Sequence, residues 1–363
     1  MTLELRHVTK NVRGETHIDD VSLTFQRGTL NILLGPTLSG KTSLMRLMAG
    51  LDQPTSGSVF FNGADVTRVP VRRRSVAMVY QQFINYPNLS VYENIASPLR
   101  VAGMAKAERD RRVRDVAGLM QLTPLLDRKP LELSGGQQQR TALARAIAKE
   151  ADLVLLDEPL ANLDYKLREE LREELPKIFS ATGAIFVYAT TEPAEALLLG
   201  GSVATLARGR VTQFGPTVEV YRRPNSLETA QIFSDPPLNM LAVVKAGGVV
   251  RAASGDLSFP ATGSFAALAD GPYRLGFRPD HLQLRRPVAD AVAVTATVML
   301  TEITGSESFI HVDFSGERWV ALAHGVHDLG IGQPVELFID PVRVFVFDSS
   351  GALAAAPGLR LAA

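Results

Sequence analysis

The chain has 363 residues, no cysteine, and equal numbers of basic and acidic side chains, 38 of each. The zero net charge gives no long-range field towards nucleic acid or anionic lipid, and the lack of cysteine excludes disulfides and thiolate chemistry. Because a single hydrophobic core stops growing at about 250 to 300 residues, the length predicts two domains.

The first residues, MTLELRHVTK, alternate apolar and polar side chains as a strand does. A secretory leader would need a basic head and an apolar run, and no run of about 18 apolar residues offers a membrane span. We therefore expect a chain that is neither exported nor membrane-spanning. Any association with a membrane would run through a partner.

Three short apolar runs, residues 29–34, 152–157 and 184–189, predict strands that are buried on both faces of a parallel sheet. Residues 160–179 repeat leucine or isoleucine at three- and four-residue spacing, which predicts an amphipathic helix. Strands that alternate with helices predict an α/β core. Residues 84–150 are charge-rich and helical in pattern, and we expect a helical insert there.

The pattern changes at DPPLNM, residues 235–240. Beyond it, short β-like runs are separated by Gly, Pro and Asp; they include VTATVML, FIHVDF, WVALAH and VRVFVF. We therefore expect one domain over residues 1–233 and a second, all-β domain over residues 234–363, folded as a small OB-like barrel.

Residues 35–42 fit G-x-x-x-x-G-K followed by Ser or Thr, and they stand between a predicted strand and a predicted helix, as a P-loop (Walker A) does. The main-chain N–H groups of such a loop bind phosphates, its lysine reaches the outer phosphates, and its hydroxyl ligates Mg²⁺. The alternative is a chance glycine turn, which this context disfavours. The predicted nucleotide-binding residues are Gly35, Pro36, Thr37, Leu38, Ser39, Gly40, Lys41, Thr42 and Ser43.

The apolar run LVLLDE ends in Asp157 and Glu158. On its own, an Asp-Glu pair at the end of a strand is as typical of a solvated strand end as of a catalytic site. Beside a P-loop it predicts that Asp157 holds Mg²⁺ through water and that Glu158 polarises the attacking water in phosphoryl transfer.

Residues 133–137 read LSGGQ and precede an apolar-periodic helix. LSGGQ resembles the signature of ABC ATPases, and on this motif the chain is identified as a member of that family. The resemblance implies that Ser134, Gly135, Gly136 and Gln137 bind the γ-phosphate held by a second ATPase subunit, so that two chains enclose each ATP.

Further motifs follow in the family's order, and the resemblance covers about residues 1–233. Gln81 resembles the Q-loop glutamine, which contacts Mg²⁺ and links the nucleotide to the permease. LANLD, residues 160–164, resembles the D-loop, with Asp164 facing the dimer partner. The segment from Phe83 to Glu93 resembles the surface that receives the permease; a polar loop with packed aromatics is the alternative.

The tail strings PPLNML, GFRPDHL and VELFIDPVRVFVFD resemble the C-terminal regulatory barrel (TOBE-type) of maltose-type importers of sugars and polyols. The resemblance implies ATP and Mg²⁺ as ligands, two transmembrane permease subunits, and indirectly a solute-binding protein. It places the chain at the cytoplasmic face of the inner membrane and implies no nucleic-acid partner.

Two positions depart from the family pattern. Thr191 stands where importer ATPases have a switch histidine, and the other histidines in the sequence are His7, His17 and four beyond residue 280. Val12 stands where an aromatic residue usually stacks on adenine. These departures, beside an intact signature, predict a weakened ATP site in an asymmetric heterodimer with a second, non-identical ATPase.

Such asymmetry resembles the glycerol-uptake branch of the family, which suggests glycerol or a related sugar or polyol as the transported solute. Two alternatives stay open: a homodimeric ATPase of a sugar or sugar-phosphate importer, and a mainly regulatory nucleotide-binding subunit. A soluble ABC ATPase of translation or DNA repair usually has fused cassettes or a long coiled-coil insertion, and this sequence has neither.

Overall fold

The computed structural model describes residues 1–161 and 164–358. The chain divides into two compact units, Met1–Thr217 and a second that begins at Val218. The division therefore falls earlier than the boundary predicted after residue 233.

The first unit contains ten strands and six complete helices in its described residues. The strands are β1 Thr2–Val12, β2 Glu15–Gln26, β3 Leu30–Leu34, β4 Ser56–Phe61, β5 Ala64–Asp65, β6 Val76–Val79, β7 Leu153–Asp157, β8 Ile185–Thr190, β9 Ser202–Ala207 and β10 Arg210–Pro216. The helices are α1 Lys41–Ala49, α2 Val91–Val101, α3 Lys106–Leu119, α4 Gly135–Ala148, α5 Tyr165–Thr182 and α6 Pro193–Leu199.

The central sheet of the first unit has the order β10-β9-β3-β8-β7-β6. The strands β3, β8 and β7 are the three predicted from apolar runs; they are neighbours, pair in parallel and are buried at every residue. The predicted α/β class is thus confirmed. Because parallel strands end at one edge of a sheet, the residues after β3, β7 and β8 meet there, where ligands bind in such folds.

A second sheet, with the order β2-β1-β4-β5, lies in the same unit. The residues of β1 and β2 alternate between buried and accessible, so one face of this antiparallel pair is apolar. Its buried residues Leu5 and Phe25 belong to one cluster with Leu44 and Met48 of α1 and Leu155 of β7. This cluster fixes the strand pair against the helix that follows the P-loop.

Helices α2, α3 and α4 occupy the segment predicted as a helical insert. The helix predicted over residues 160–179 begins only at Tyr165, and its Leu171 and Leu175 are buried. Asn162 and Leu163, which fall within the predicted helix and D-loop, lie outside the described residues.

The second unit is mainly β. Its helices are α7 Thr217–Arg222, which begins at the last residue of the first unit, and α8 Leu227–Ile232. Its strands are β11 Asn239–Ala246, β12 Val249–Ala252, β13 Ser258–Pro260, β14 Gly271–Phe277, β15 Leu282–Gln283, β16 Val292–Ile303, β17 Glu307–Phe314, β18 Glu317–His324, β19 Pro334–Ile339, β20 Phe345–Phe347 and β21 Leu353–Ala355.

These strands form two antiparallel sheets, of the orders β13-β12-β11-β14-β20-β21 and β15-β19-β16-β17-β18. Their inner faces share one hydrophobic cluster, in which the indole of Trp319 stacks on Phe314 at 4.6 Å between ring centroids. Trp319 Nε1 donates to Met240 O at 2.8 Å. The all-β, barrel-like second domain is therefore confirmed, with its strands separated into two sheets.

Backbone contacts explain why the second unit begins before residue 233. Leu227 N donates to Gly351 O at 2.8 Å, and Leu353 N donates to Asn225 O at 3.0 Å. Ala230 of α8 also packs in one apolar cluster with Phe345 and Phe347. The segment around α8 thus pairs with the far end of the chain.

Candidate functional site

The P-loop connects β3 to α1 and is held by close backbone packing. A Cβ on Gly35 would lie 2.3 Å from Leu206 O, and Gly40 has a φ of 105°, so both positions need glycine. Lys41 is buried, and its Nζ donates to Gly35 O at 2.8 Å and to Pro36 O at 3.1 Å. The loop therefore curls around its own lysine.

Thr42 and Asp157 meet at the carboxyl end of β7. Thr42 Oγ1 donates to Asp157 Oδ2 at 2.7 Å. Burial raises the pKa of Asp157, while the Thr42 hydrogen bond and the charge of Lys41 oppose that shift. Mg²⁺ is coordinated by hard oxygen ligands, such as hydroxyl, carboxylate and phosphate oxygens. The side chains of Thr42 and Asp157 therefore fit the predicted Mg²⁺.

Glu158 follows β7 with a left-handed backbone, φ 47°, which is a strained conformation for this residue type. Its Oε2 accepts a hydrogen bond from Gln81 Nε2 at 2.9 Å, and its Oε1 lies 3.8 Å from Lys41 Nζ. Burial lowers the pKa of Lys41, and the charges of Glu158 and Asp157 oppose that effect. The structure thus brings a cation, two carboxylates and an amide together.

Thr191, exposed immediately after β8, lines the same pocket, which has a volume of about 640 Å³. The P-loop residues Thr37 to Ser43, Gln81 and Glu158 also line it. The size is that of a small-molecule ligand pocket. A hydroxyl at Thr191 can hydrogen-bond a phosphate but cannot carry the positive charge of an imidazolium.

The lining also contains residues that the sequence analysis missed. They are Glu15, Thr16, His17, Arg208 and Gly209. His17 Nδ1 lies 3.5 Å from Ser43 Oγ, although the two residues are far apart along the chain. No local motif marks these positions, because they reach the pocket through the path of β2 and the turn between β9 and β10.

Several predicted site residues lie elsewhere. Val12 is half-buried at the end of β1, paired with Glu15 in the strand register, and is not among the lining residues described. The signature residues and the exposed Asp164 are also absent from that lining. The chain therefore does not bring its own signature to its own P-loop.

The signature forms the beginning of α4. Ser134 is the N-cap: its Oγ accepts from Gln137 N at 3.3 Å, and Ser134 N donates to Gln137 Oε1 at 3.0 Å. Ser134 and Gly135 are exposed, so the positive end of the helix dipole faces outward. One turn further, the buried Gln139 donates through Nε2 to Pro159 O, which ties α4 to the loop after Glu158.

Comparison with known proteins agrees with this geometry. Residues 18–161 match the model of the ABC transporter family, and residues 275–347 match the TOBE domain. The sn-glycerol-3-phosphate import ATP-binding protein UgpC of Cupriavidus pinatubonensis is 35% identical over 363 residues, which cover 96% of this chain and 97% of that protein. The chain belongs to the ABC transporter family.

The chain is also similar to other ABC proteins. The trehalose/maltose import ATP-binding protein MalK of Thermococcus litoralis is 37% identical over 358 residues, 93% of this chain and 95% of that protein. The dimeric ABC cassette MJ0796 bound to ADP and Pi superposes with a TM-score of 0.55 and 29% identity, over 59% of this chain and 98% of that one.

As an ABC-type ATPase, the chain couples ATP hydrolysis to solute import. Among the described residues, no helix has both the length and the apolar character that crossing a membrane requires.

Proposed function

We propose that this ABC ATPase binds Mg²⁺ and ATP in the P-loop pocket and energises the import of glycerol, a glycerol phosphate, or a related sugar or polyol. The observation that carries the proposal is that Lys41, Thr42, Gln81 and Glu158 line one pocket, with the buried Asp157 bonded to Thr42 behind it. The similarity to import proteins named for glycerol 3-phosphate and for trehalose and maltose supports the solute class.

Each residue has a role in the proposed ATPase. The P-loop amides and Lys41 bind the phosphates, and Thr42, Asp157 and Gln81 hold the metal. When bound, Mg²⁺ neutralises charge that develops on the phosphates. Glu158 orients and polarises the attacking water, because its carboxylate can accept a hydrogen bond from that water beside the one that Oε2 accepts from Gln81.

We further propose that Thr191 slows hydrolysis in this pocket. A threonine hydroxyl is uncharged and short, so it stabilises the charge on the γ-phosphate less well than an imidazolium would. Thr191→His should raise the turnover of the purified chain about tenfold or more, and Glu158→Gln should abolish it in either background. An unchanged turnover in Thr191→His would refute this assignment.

ATP binding by the purified chain tests the main proposal. Calorimetry should detect Mg²⁺-dependent ATP binding that Lys41→Ala weakens, and Lys10→Ala, on β1 outside the pocket lining, should leave it unchanged. If the wild-type chain shows no affinity for ATP, the transporter-ATPase proposal fails.

The permease contact is proposed at the segment from Phe83 to Glu93. Buried Asn94 fixes this segment: its Oδ1 accepts from Tyr86 N at 2.8 Å, and its Nδ2 donates to Leu89 O at 3.1 Å. Tyr86 is half exposed, with Arg145 over its ring at 5.0 Å, and both line a groove of about 320 Å³ together with Pro98 and Val101. An apolar floor with charged rims suits an amphipathic permease helix.

The partner ATPase is the last part of the proposal. Thr191 beside an intact signature favours a heterodimer, in which Ser134 and Gly135 complete a competent site on a second ATPase. The comparisons give no support for a non-identical partner, so a homodimer is the competing arrangement. Lys41→Ala should reduce transport less than the equivalent change in a second subunit; brisk turnover of this chain alone would exclude the heterodimer.

The solute is tested in vesicles that contain the permease and the solute-binding protein. Glycerol, glycerol 3-phosphate and maltose are compared for stimulation of ATP hydrolysis. Stimulation by at least one of them is expected, and stimulation only by a solute of another class, such as an amino acid, would refute the solute assignment.

A further inference from the structure

His17 lies beside the P-loop and lines the pocket, but it belongs to none of the sequence motifs that contribute to this pocket. It belongs to β2, on which Glu15 and His17 point to one face and the buried Ile18 to the other. Glu15 and His17 both line the pocket, and among the lining residues described His17 carries the sole ring. His17 therefore presents an imidazole to the pocket at a place where its neighbours Glu15 and Thr16 also line it.

The main chain around His17 leaves little room for displacement. A Cβ on Gly40 would lie 2.9 Å from His17 O, and one on Gly209 would lie 2.7 Å from the same atom. Gly209 N donates to Ser39 O at 3.0 Å, and Asp19 N donates to Gly209 O at 2.9 Å. The P-loop, β2 and the turn at Gly209 are therefore packed backbone to backbone, which fixes the main chain of His17 beside the P-loop.

The contacts along the pocket divide it into two ends. At one end Lys41, Glu158 and Gln81 contact one another, which is where the outer phosphates and the metal bind. At the other end His17 faces Ser43, one residue past the metal-binding Thr42 in the first turn of α1. The second end is thus on the nucleoside side of the phosphate chain.

We infer that His17 contacts the nucleotide itself and binds the α-phosphate together with Ser43. The inference rests on the proposed ATP site and adds to it a residue specific to this sequence. A contact from His17 explains how the pocket can bind the α-phosphate side of the nucleotide although Val12 is not among the lining residues described.

The geometry between the two side chains suits a shared ligand. The 3.5 Å between His17 Nδ1 and Ser43 Oγ is at the long limit for a hydrogen bond, so the contact between the two groups is weak. A phosphate oxygen between them would accept from the Ser43 hydroxyl and from an imidazole N–H. Both bonds would be charge-assisted and therefore stronger than the contact they replace.

The test measures nucleotide affinity of the full chain by calorimetry. His17→Val should weaken ATP and ADP by the same factor, about tenfold or more, which is the loss expected for one charge-assisted hydrogen bond. A loss confined to ATP would place His17 at the γ-phosphate and overturn the assignment, as would unchanged affinity for both nucleotides.

A double-mutant cycle separates a shared contact from two separate ones. His17→Val, Ser43→Ala and the double variant should show non-additive losses of ATP affinity, because both side chains bind the same phosphate. Strictly additive losses would refute the shared contact. The Tm of each variant without nucleotide should be close to that of the wild type. A loss of affinity can then not be attributed to a loss of folded protein.

His7→Asn is the matched control. His7 is on β1 of the same sheet, its side chain is 81% exposed, and its Nδ1 pairs with Asp20 at 2.8 Å on the surface. Asparagine also tolerates the left-handed φ of 50° at this position. Affinity in this variant should equal that of the wild type. If the wild-type chain binds no nucleotide, the proposed function fails; if it binds and His17→Val binds equally, only this inference fails.

Discussion

Leu38 occupies the P-loop in a conformation that suits glycine. Its φ is 66°, in the left-handed region, and its side chain is 96% exposed. For a residue with a Cβ this region costs about 1 to 2 kcal/mol. The exposed side chain buries no apolar surface that would offset this cost, so we predict that Leu38→Gly stabilises the first unit.

The magnitude follows from two opposing contributions. Relief of the backbone strain contributes about 1 to 2 kcal/mol, and the greater entropy of glycine in the unfolded chain removes about 0.5 to 1 kcal/mol. The central net gain is about 0.75 kcal/mol, within limits of about 0 to 1.5 kcal/mol, and it corresponds to a rise in Tm of about 2 to 3 °C for a unit of this size. Leu38→Ala keeps the Cβ, so its Tm should change little.

Thermal unfolding followed by circular dichroism reports the change. Trp319 is the single tryptophan of the chain and lies in the second unit, so its fluorescence follows that unit separately and should not change. If Leu38→Gly and Leu38→Ala shift the Tm equally, or if glycine lowers it, strain at Leu38 is not the cause and the argument is refuted.

Three further predictions concern buried polar groups. Burial raises the pKa of Asp157 above 3.8, so its favourable contribution to stability is present below that pH and is lost as the pH rises through the folded pKa. Asp157→Asn should therefore raise the Tm of the nucleotide-free chain at pH 7 but not near pH 4, and should weaken Mg²⁺-dependent ATP binding; a lower Tm at pH 7 would contradict this. Asn94→Ala should cost about 1 to 3 kcal/mol and expose residues 86–90 to proteases, and cleavage no faster than in the wild type would argue against it. Trp319→Phe removes the indole donor to Met240 O and should destabilise the second unit by about 1 to 3 kcal/mol, measured by calorimetry, while ATP affinity stays constant.

The features that the sequence predicts well are those written in contiguous residues. The P-loop follows an apolar strand and precedes a helix because glycine geometry and strand burial are local properties, and β3, β7 and β8 appear within a residue of their predicted bounds. Ser134 caps α4 as its sequence indicates, with Gln137 completing the capping box. The P-loop and the capped start of α4 each depend on a few contiguous residues.

Features that depend on long-range packing were not predictable in this way. His17 faces Ser43 because β2 passes the first turn of α1, and no spacing rule connects a strand residue with a helix 26 positions away. Val12 pairs with Glu15 at a hairpin end, so its place relative to the pocket depends on strand register. The start of the second unit likewise depends on bonds between residues near 226 and residues near 352.

The bond from Gln139 to Pro159 has a consequence for how two nucleotides communicate. Pro159 directly follows Glu158, while the exposed start of α4 is the part that we propose completes the ATP site of a second subunit. A displacement of either end can therefore reach the other through this buried amide, beside the bond from Asn85 Nδ2 to Gln138 O. Thermodynamic reciprocity then requires that occupancy at the exposed end alter affinity in the chain's own pocket by the same factor as the reverse. Replacing that amide by an apolar group of similar volume should weaken the coupling between the two binding events.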